Sequence, residues 1–271
     1  MKKRKLRPVK PSKQAEVYYR RQLSQLIKVM QDIVVSELNN DAVVVNDALF
    51  TKGVELLAAQ MNRITKRLEE MNINNFASQL AQGFLNRLNR NNQRSMTSNI
   101  ERTTGVDLKM AVNSSELDQL LNIKIAENVA LINSIKNEYI QDVGKVIRDN
   151  VLNGERSTRL ITEIKERGQV TESRAKLIAR TETSKVNAQI TQLRAESLGA
   201  KTYVWSASMD ERTRADHKAM DGKLCRWDDV TVYSDDDGKT WKKRSSIGGV
   251  EINPGEIWNC RCTSMPIVTW G

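Results

Sequence analysis

Residues that commonly serve as catalytic or cross-linking groups are scarce in this sequence. The 271 residues include one histidine, His217, and three cysteines, Cys225, Cys260 and Cys262. No apolar run exceeds four residues, which is too short to cross a membrane, and the basic start lacks the apolar segment of a secretory signal peptide. Three cysteines without an export signal are typical of a reducing compartment, where thiols stay free or bind metal. We therefore expect a soluble protein that is made in a cytoplasm.

Sequence signatures of the common enzyme classes are also missing. We find no phosphate-binding loop, nucleophile elbow or dinucleotide fingerprint, and any histidine general base must be His217. The acidic run 235–237 lacks the spacing of a calcium loop. A Cys–His dyad oriented by Asp210 or Asp221 is the catalytic arrangement that the residues allow. The sequence favours a protein that is not an enzyme.

Positive charge is concentrated at the start of the chain. Residues 1–28 hold ten Lys and Arg against one Glu, which gives +9 of the formal net charge of +10. Pro8 and Pro11 disfavour a helix, and dense like charges repel one another, so residues 1–12 are predicted to form a flexible basic arm. Such an arm either binds double-stranded DNA by releasing counterions or is a solvated terminus that improves solubility. The candidate nucleic-acid-binding residues are Lys2, Lys3, Arg4, Lys5, Arg7 and Lys10.

The first two-thirds of the chain has the apolar periodicity of helices. Leu57, Met61, Ile64 and Leu68 recur at steps of three and four residues, and similar patterns occur throughout residues 13–150. The Asn-rich stretch 89–99 is predicted to be a loop. Within residues 151–200, one helix is predicted to end near Gly168 and another to begin at Thr171. No internal repeat stands out.

The sequence changes character near residue 200. All five tryptophans, all three cysteines and the histidine lie beyond it, among β-rich segments and a hairpin signal around 237–238. We therefore predict an α+β fold, with a mostly helical N-terminal two-thirds and a small β-containing C-terminal module, residues 201–271. A module of this size has a marginal core and often needs a cross-link.

Four residues in this module have the chemistry of zinc ligands. His217 lies in the segment 210–222, which is predicted to be a short helix ending at Gly222. Cys225 comes eight residues after the histidine, and Cys260 and Cys262 form a Cys-x-Cys near the end. A Cys₃His set is an accepted structural zinc site, and alternate residues of a strand share a face. We expect Asp210 or Asp221 to hydrogen-bond the imidazole and the site to be closed. His217, Cys260 and Cys262 are the expected ligands, and the fourth is Cys225, an aspartate or water. The alternative is that both cysteines of the Cys-x-Cys pack as small apolar residues and His217 is a hydrogen-bonded histidine.

Three ordered motifs resemble the phage head-morphogenesis family, the minor head proteins typified by the F protein of phage Mu. They are IARTET at 178–183, YVWSASMDERTRADHKAMDG at 203–222 and NPGEIWNCRC followed by PI at 253–267. The resemblance covers roughly residues 150–268. The matched positions are Arg180, Thr181, Glu182, Trp205, Asp210, Arg212, His217, Asp221, Gly222, Asn259, Cys260, Arg261 and Cys262.

The resemblance implies a structural protein of the virion. Minor head proteins are present in few copies inside the head near the portal vertex, where they assist head assembly, DNA packaging or DNA delivery. The implied partners are the portal protein and the major capsid protein, with double-stranded DNA held by the N-terminal arm and no membrane involved. Before assembly the protein would be in the host cytoplasm. The alternatives are a DNA-binding accessory protein without a capsid role and an effector enzyme.

Overall fold

The computed structural model describes residues 2–40, 50–71, 73–106, 115–153 and 157–270. Within them, helices dominate the first 197 residues and most of the sheet follows, which confirms the α+β prediction. The helices are α1 (Lys13–Asn40), α2 (Phe50–Glu70), α3 (Ile73–Thr104), α4 (Ser115–Leu152), α5 (Ser157–Ser197) and the short α6 (Ala215–Ala219). None of these described helices combines the length and the apolar character needed to cross a membrane.

One antiparallel sheet of six strands has the order β1-β6-β2-β3-β4-β5. Its longest strand, β6, lies between β1 and β2, so the two ends of the chain are adjacent in the sheet. The hairpin predicted around 237–238 joins β4 to β5, and both residues at its tip have positive φ. The strands are β1 (Lys2–Lys5), β2 (Thr202–Ser206), β3 (Leu224–Arg226), β4 (Val232–Ser234), β5 (Lys242–Lys243) and β6 (Thr263–Trp270).

The chain folds into two compact units that are not consecutive in sequence. The first combines Met1–Val17, Gly83–Lys124 and Ala179–Gly271, and the second combines Tyr18–Gln82 and Ile125–Ile178. A division at residue 200 is therefore wrong. The predicted C-terminal module shares its unit with the start of the chain, with parts of α3 and α4 and with the end of α5.

The prediction of a flexible arm over residues 1–12 is also wrong for the part that the structure describes. Lys2–Lys5 form β1 at the edge of the sheet, where they pair with Ile267–Trp270 of β6. Leu6 and Val9 then enter the core of the first unit, with exposed fractions of 1% and 2%. The repulsion is reduced because the side chains of Lys3, Arg4 and Lys5 are exposed to solvent, while the two apolar residues anchor the segment.

The Asn-rich stretch 89–99, predicted to be a loop, lies within α3. Its polar side chains form a buried network instead of facing solvent. The Asn92 amide donates to Asn187 Oδ1 at 3.0 Å and to Thr191 Oγ1 at 2.7 Å, both on α5. Arg194 of α5 donates to Asn92 Oδ1 and to Asn89 Oδ1, each at 2.6 Å. Helix α3 therefore continues because its asparagines bond to α5.

The two helices predicted within residues 151–200 are a single helix, α5, which passes through Gly168 without ending. A glycine in a helix interior costs roughly 0.5–1 kcal/mol relative to alanine. Here it allows a close approach, since a Cβ at this position would lie 2.9 Å from the side-chain nitrogen of Gln31. Gly168 is therefore a packing residue of the second unit.

Candidate metal centre

His217 is held in place by a short helix and the turn that follows it. Helix α6 carries the imidazole on its buried side, and the turn ends at Gly222, whose φ of 73° suits glycine. The Gly222 N–H donates to the Trp205 carbonyl at 2.9 Å, and Asp221 accepts a bond from the Ala207 N–H at 2.8 Å. The histidine turn is thus fixed to the end of β2.

The two cysteines come from the segment that leads into β6. The Cys260 N–H donates to the Ile257 carbonyl at 3.1 Å, and the Gly255 N–H donates to Cys260 Sγ at 3.3 Å. Asn259 adopts φ 59°, in the left-handed region that Asn tolerates better than most residues. This local reversal brings both sulfurs to the same side as His217.

The three donors meet in a buried cluster. His217 Nδ1 lies 3.3 Å from Cys262 Sγ and 3.5 Å from Cys260 Sγ, and all the ligand atoms lie within 4.8 Å of one another. The exposed fractions of His217, Cys260 and Cys262 are 2%, 3% and 4%. Tetrahedral zinc with ordinary bond lengths separates a sulfur from a nitrogen by roughly 3.6 Å. The residues present therefore fit a zinc ion in type and in spacing.

The two thiols influence each other's protonation. A hydrogen bond from the Cys262 thiol lowers the pKa of Cys260, although burial opposes this, and His217 and the Gly255 N–H lower it further. The same hydrogen bond, together with burial, raises the pKa of Cys262. One thiolate therefore forms readily, while the second requires a cation to compensate its charge. Metal binding supplies such a cation, because coordinated thiols lose their protons.

Helix α5 holds the cysteine segment from the other side. Thr181 Oγ1 accepts the Asn259 N–H at 3.3 Å, and Arg180 donates to Asn259 Oδ1 at 3.4 Å. Gly255 packs so closely on α5 that a Cβ would lie 3.0 Å from Ala188 Cβ. The IARTET and NCRC motifs are thus joined in space through Asn259.

Cys225 does not belong to the cluster, so its prediction as a fourth ligand is wrong. It lies on β3 directly opposite Tyr203 of β2, and its thiol points to the Lys223 carbonyl at 3.6 Å. The side chain is fully buried, and burial raises its pKa to about 11. A thiol that resists ionisation in this way is a packing group.

The carboxylates predicted to orient the imidazole have other partners. Asp210 forms an ion pair with Arg261 through both carboxylate oxygens and accepts a hydrogen bond from the Thr213 hydroxyl. Asp221 accepts a hydrogen bond from the Ala207 N–H. His217 Nε2 is buried and has no hydrogen-bond partner among the residues that the structure describes. The ring meets Trp205 edge to face at 5.8 Å between centroids. Packing, and not a carboxylate, orients this histidine.

The buried cluster borders a cavity. His217, Cys260 and Cys262 lie at the wall of a cavity of about 480 Å³ in the first unit. Sequence reasoning missed several of its residues, because they come from three distant segments and, apart from Glu16, carry no metal-ligand chemistry. The other lining residues are Pro11, Lys13, Glu16, Arg180, Ser184, Ser208, Arg212, Thr213, Arg214, Asn259 and Arg261.

The other predicted site residues fall into two groups. Lys3, Arg4, Lys5, Arg7 and Lys10 are exposed on β1 and the segment that follows, where DNA would have access to them. The Arg4 guanidinium also donates to the Thr103 carbonyl. The side chain of Lys2 lies outside the described part. Among the motif residues, Glu182 and Trp205 are buried, whereas Arg180 and Arg212 are exposed at the cavity.

Comparisons with known proteins agree with the motifs. Residues 141–265 match the model of the family described as Phage Mu protein F like protein. An uncharacterized protein of Haemophilus influenzae is 32% identical over 269 residues, which cover 98% of this chain and 56% of that protein. Minor head protein GP7 of Bacillus phage SPP1 is 29% identical over 140 residues, which cover 48% of this chain and 42% of that protein. The chain thus spans about half the length of these relatives. No solved structure shows a significant match.

Proposed function

We propose that this protein is a minor head protein, a structural component of a phage head, because residues 141–265 match the model of the family described as Phage Mu protein F like protein. The observation that carries the proposal is this family match, which includes the histidine turn and most of the cysteine segment. The similarity to a protein named minor head protein in Bacillus phage SPP1 supports it. Its role would be to assist head assembly, DNA packaging or DNA delivery.

The proposed position is the head interior near the portal vertex. The partners would be the portal protein and the major capsid protein, with the chain present in few copies. The family likeness is the support for these contacts. The long helices offer extended surfaces for such partners, because helices commonly bind through a face of side chains at i, i+3, i+4 and i+7.

Double-stranded DNA is the third proposed partner. The exposed cations of β1 and the following segment support this, since a fixed row of Lys and Arg neutralises phosphates without reading the bases. The structure differs from a flexible arm in one respect that matters for binding. The charges are presented by an ordered strand, so less conformational entropy is lost when DNA binds.

The proposed cofactor is zinc, held by His217, Cys260 and Cys262. When bound, zinc would cross-link the histidine turn to the cysteine segment, which are distant in sequence. The protein's own residues prepare this site. Thr181 and Gly255 fix the cysteine segment, and the turn at Gly222 fixes the imidazole. The distances of 3.3 and 3.5 Å between Nδ1 and the sulfurs support this assignment.

Deletion of the gene from a phage or prophage that carries it tests the function. We expect fewer infectious particles per induced cell, with heads that are incomplete, poorly filled or unable to deliver DNA. Wild-type protein supplied from a plasmid should restore the yield. An unchanged particle number, DNA content and infectivity without the gene would contradict a role in head morphogenesis.

A further inference from the structure

The cavity beside the cysteine cluster has a strongly basic wall. Five cationic side chains line it: Arg180, Arg212, Arg214, Arg261 and Lys13. Two carboxylates face them. Glu16 pairs with Lys13 at 2.9 Å, and Asp210 pairs with Arg261 through both carboxylate oxygens. Two of the five cations are therefore neutralised within the protein.

The remaining three arginines have no acidic partner among the described residues. Arg214 donates to the Trp258 carbonyl at 3.0 Å and Arg180 to Asn259 Oδ1 at 3.4 Å, and both acceptors are uncharged. The Arg212 guanidinium makes no hydrogen bond or ion pair within the described part, although its backbone N–H donates to Asp210 at 3.1 Å. Three exposed cations around one cavity repel one another, and a bound anion would relieve this repulsion.

The chemistry of the wall suits a phosphate group better than a carboxylate. A carboxylate is satisfied by the fork of one arginine, whereas a terminal phosphate has three strong acceptor oxygens and up to two negative charges. A DNA phosphodiester has two non-bridging oxygens and one charge, and its neighbouring phosphates can engage the other arginines. The hydroxyl of Ser184 lines the same cavity and adds an uncharged donor, whereas the hydroxyls of Ser208 and Thr213 already donate to Asp210. The volume of about 480 Å³ is also within the usual range for small-molecule sites.

We propose that this cavity binds a phosphate group, with Arg180, Arg212 and Arg214 as its charged donors. The phosphate is either part of the DNA backbone or a free or nucleotide phosphate. The site is distinct from the basic strand β1. The residues of the N-terminal segment that line the cavity are Pro11, Lys13 and Glu16, and none of them belongs to β1. The proposal does not depend on a role in the phage head.

The test is isothermal titration of the full-length protein with inorganic phosphate. The variant Arg180→Gln/Arg212→Gln removes two guanidinium groups that are exposed, so the fold should survive, and a thermal melt checks this. The control Arg90→Gln/Arg94→Gln removes the same charge from an exposed face of α3 that does not line the cavity. We expect saturable binding by the wild type, about tenfold or more weaker binding by the cavity variant, and unchanged binding by the control.

A second titration with a short DNA duplex identifies the source of the phosphate. If the cavity variant, but not the control, loses phosphate binding and also binds the duplex more weakly, the site takes the phosphates of the DNA backbone. If the cavity variant loses phosphate binding but binds the duplex as the wild type does, the site takes free or nucleotide phosphate. The proposal is overturned if the wild type shows no saturable phosphate binding, or if both variants lose binding equally.

Discussion

At the scale of single residues, the arrangement of His217, Cys260 and Cys262 needs a physical explanation. Polar groups that are buried without partners cost free energy, and His217 Nε2 has none among the described residues. The two sulfurs share His217 Nδ1 as a neighbour, although that nitrogen satisfies only one of them as a hydrogen-bond partner at a time. A divalent cation bound to Nδ1 would contact this nitrogen and both sulfurs together, which is why we propose zinc for the cluster, although it would not supply a partner for Nε2.

Elemental analysis of protein purified without added metal tests this assignment. We expect about one zinc per chain, lost in both Cys260→Ser and His217→Ala because each removes a donor atom. A chelator should destabilise the wild type by about 2.7 kcal/mol under conditions where free zinc had exceeded its dissociation constant about a hundredfold. The measurement is inductively coupled plasma mass spectrometry together with denaturation followed by tryptophan fluorescence.

Cys225→Ser is the matched control for this experiment. It also removes a buried thiol, but its sulfur points to the Lys223 carbonyl and lies outside the cluster. We expect it to retain zinc. Wild-type protein without zinc that melts identically with and without chelator would show that the cysteines are packing residues.

The sequence predicted the composition of this cluster only in part. The residue types and the family resemblance indicated His217, Cys260 and Cys262, because imidazole and thiol groups are recognisable as donors wherever the fold places them. Cys225 was predicted wrongly because strand register decides its direction, and pairing with Tyr203 is not readable from the sequence. Arg180, Arg212 and Arg261 were recognised as motif residues, but the cavity that they line together with Arg214 was not predicted, since it forms only after α5 and α6 have packed.

At the scale of elements, β1 is the part of the fold whose contribution is easiest to measure. Its backbone pairs with β6, and the Leu6 N–H that follows donates to the Pro266 carbonyl at 2.9 Å. Asn187 then donates to the Val9 carbonyl at 2.8 Å, and Asn99 donates to the Arg7 carbonyl at 3.0 Å. The segment is tied to the first unit by backbone and by apolar burial.

Leu6→Ala should therefore lower the free energy of unfolding by about 2–5 kcal/mol, since it leaves a cavity where a fully buried side chain was. Tryptophan fluorescence during urea denaturation measures this directly, because all five tryptophans belong to the first unit. The control Lys3→Ala changes an exposed side chain of the same segment and should stay within about 0.5 kcal/mol of the wild type. Equal stability of Leu6→Ala and the wild type would show that the segment is a solvated arm after all.

The structure of polar and charged segments was the least predictable feature of the fold. Charge and proline suggested an arm at residues 1–12, but two apolar residues, Leu6 and Val9, were enough to anchor it. Polar side chains suggested a loop at 89–99, but Asn92 and Arg194 bond to each other inside the unit. In both cases a tertiary partner overrode the local preference, and no pattern within the segment reveals that partner.

At the scale of the whole molecule, the concentration of charge at the start of the chain supports DNA binding. We expect the combined variant Lys3→Gln, Lys5→Gln, Arg7→Gln and Lys10→Gln to bind a DNA duplex more weakly. Its salt dependence should flatten by up to about 0.9 per lost phosphate contact. The fold should survive because these four side chains are exposed. Titration of labelled duplex at several salt concentrations measures both effects.

The control for this experiment is Arg90→Gln/Arg94→Gln, which removes charge elsewhere on the first unit. Its salt slope should match that of the wild type. If the fourfold variant of Lys3, Lys5, Arg7 and Lys10 keeps full DNA binding but no longer binds isolated portal protein, the basic segment is a protein-binding surface.

The division of the chain into two units could not be predicted from the sequence. Helical periodicity identifies which face of each helix is buried, but it does not identify the helix against which that face packs. The composition change near residue 200 correctly located most of the sheet. It did not show that residues 1–17 and 83–124 complete the same unit.

Quantitative mass spectrometry of purified, DNA-filled heads tests the proposed function most directly. A minor head protein should be recovered in every preparation at a copy number far below that of the major capsid protein, and it should stay with the heads through a salt wash. Its absence from filled heads, while it is abundant in the same lysate, would contradict the account and favour a DNA-binding protein without a capsid role.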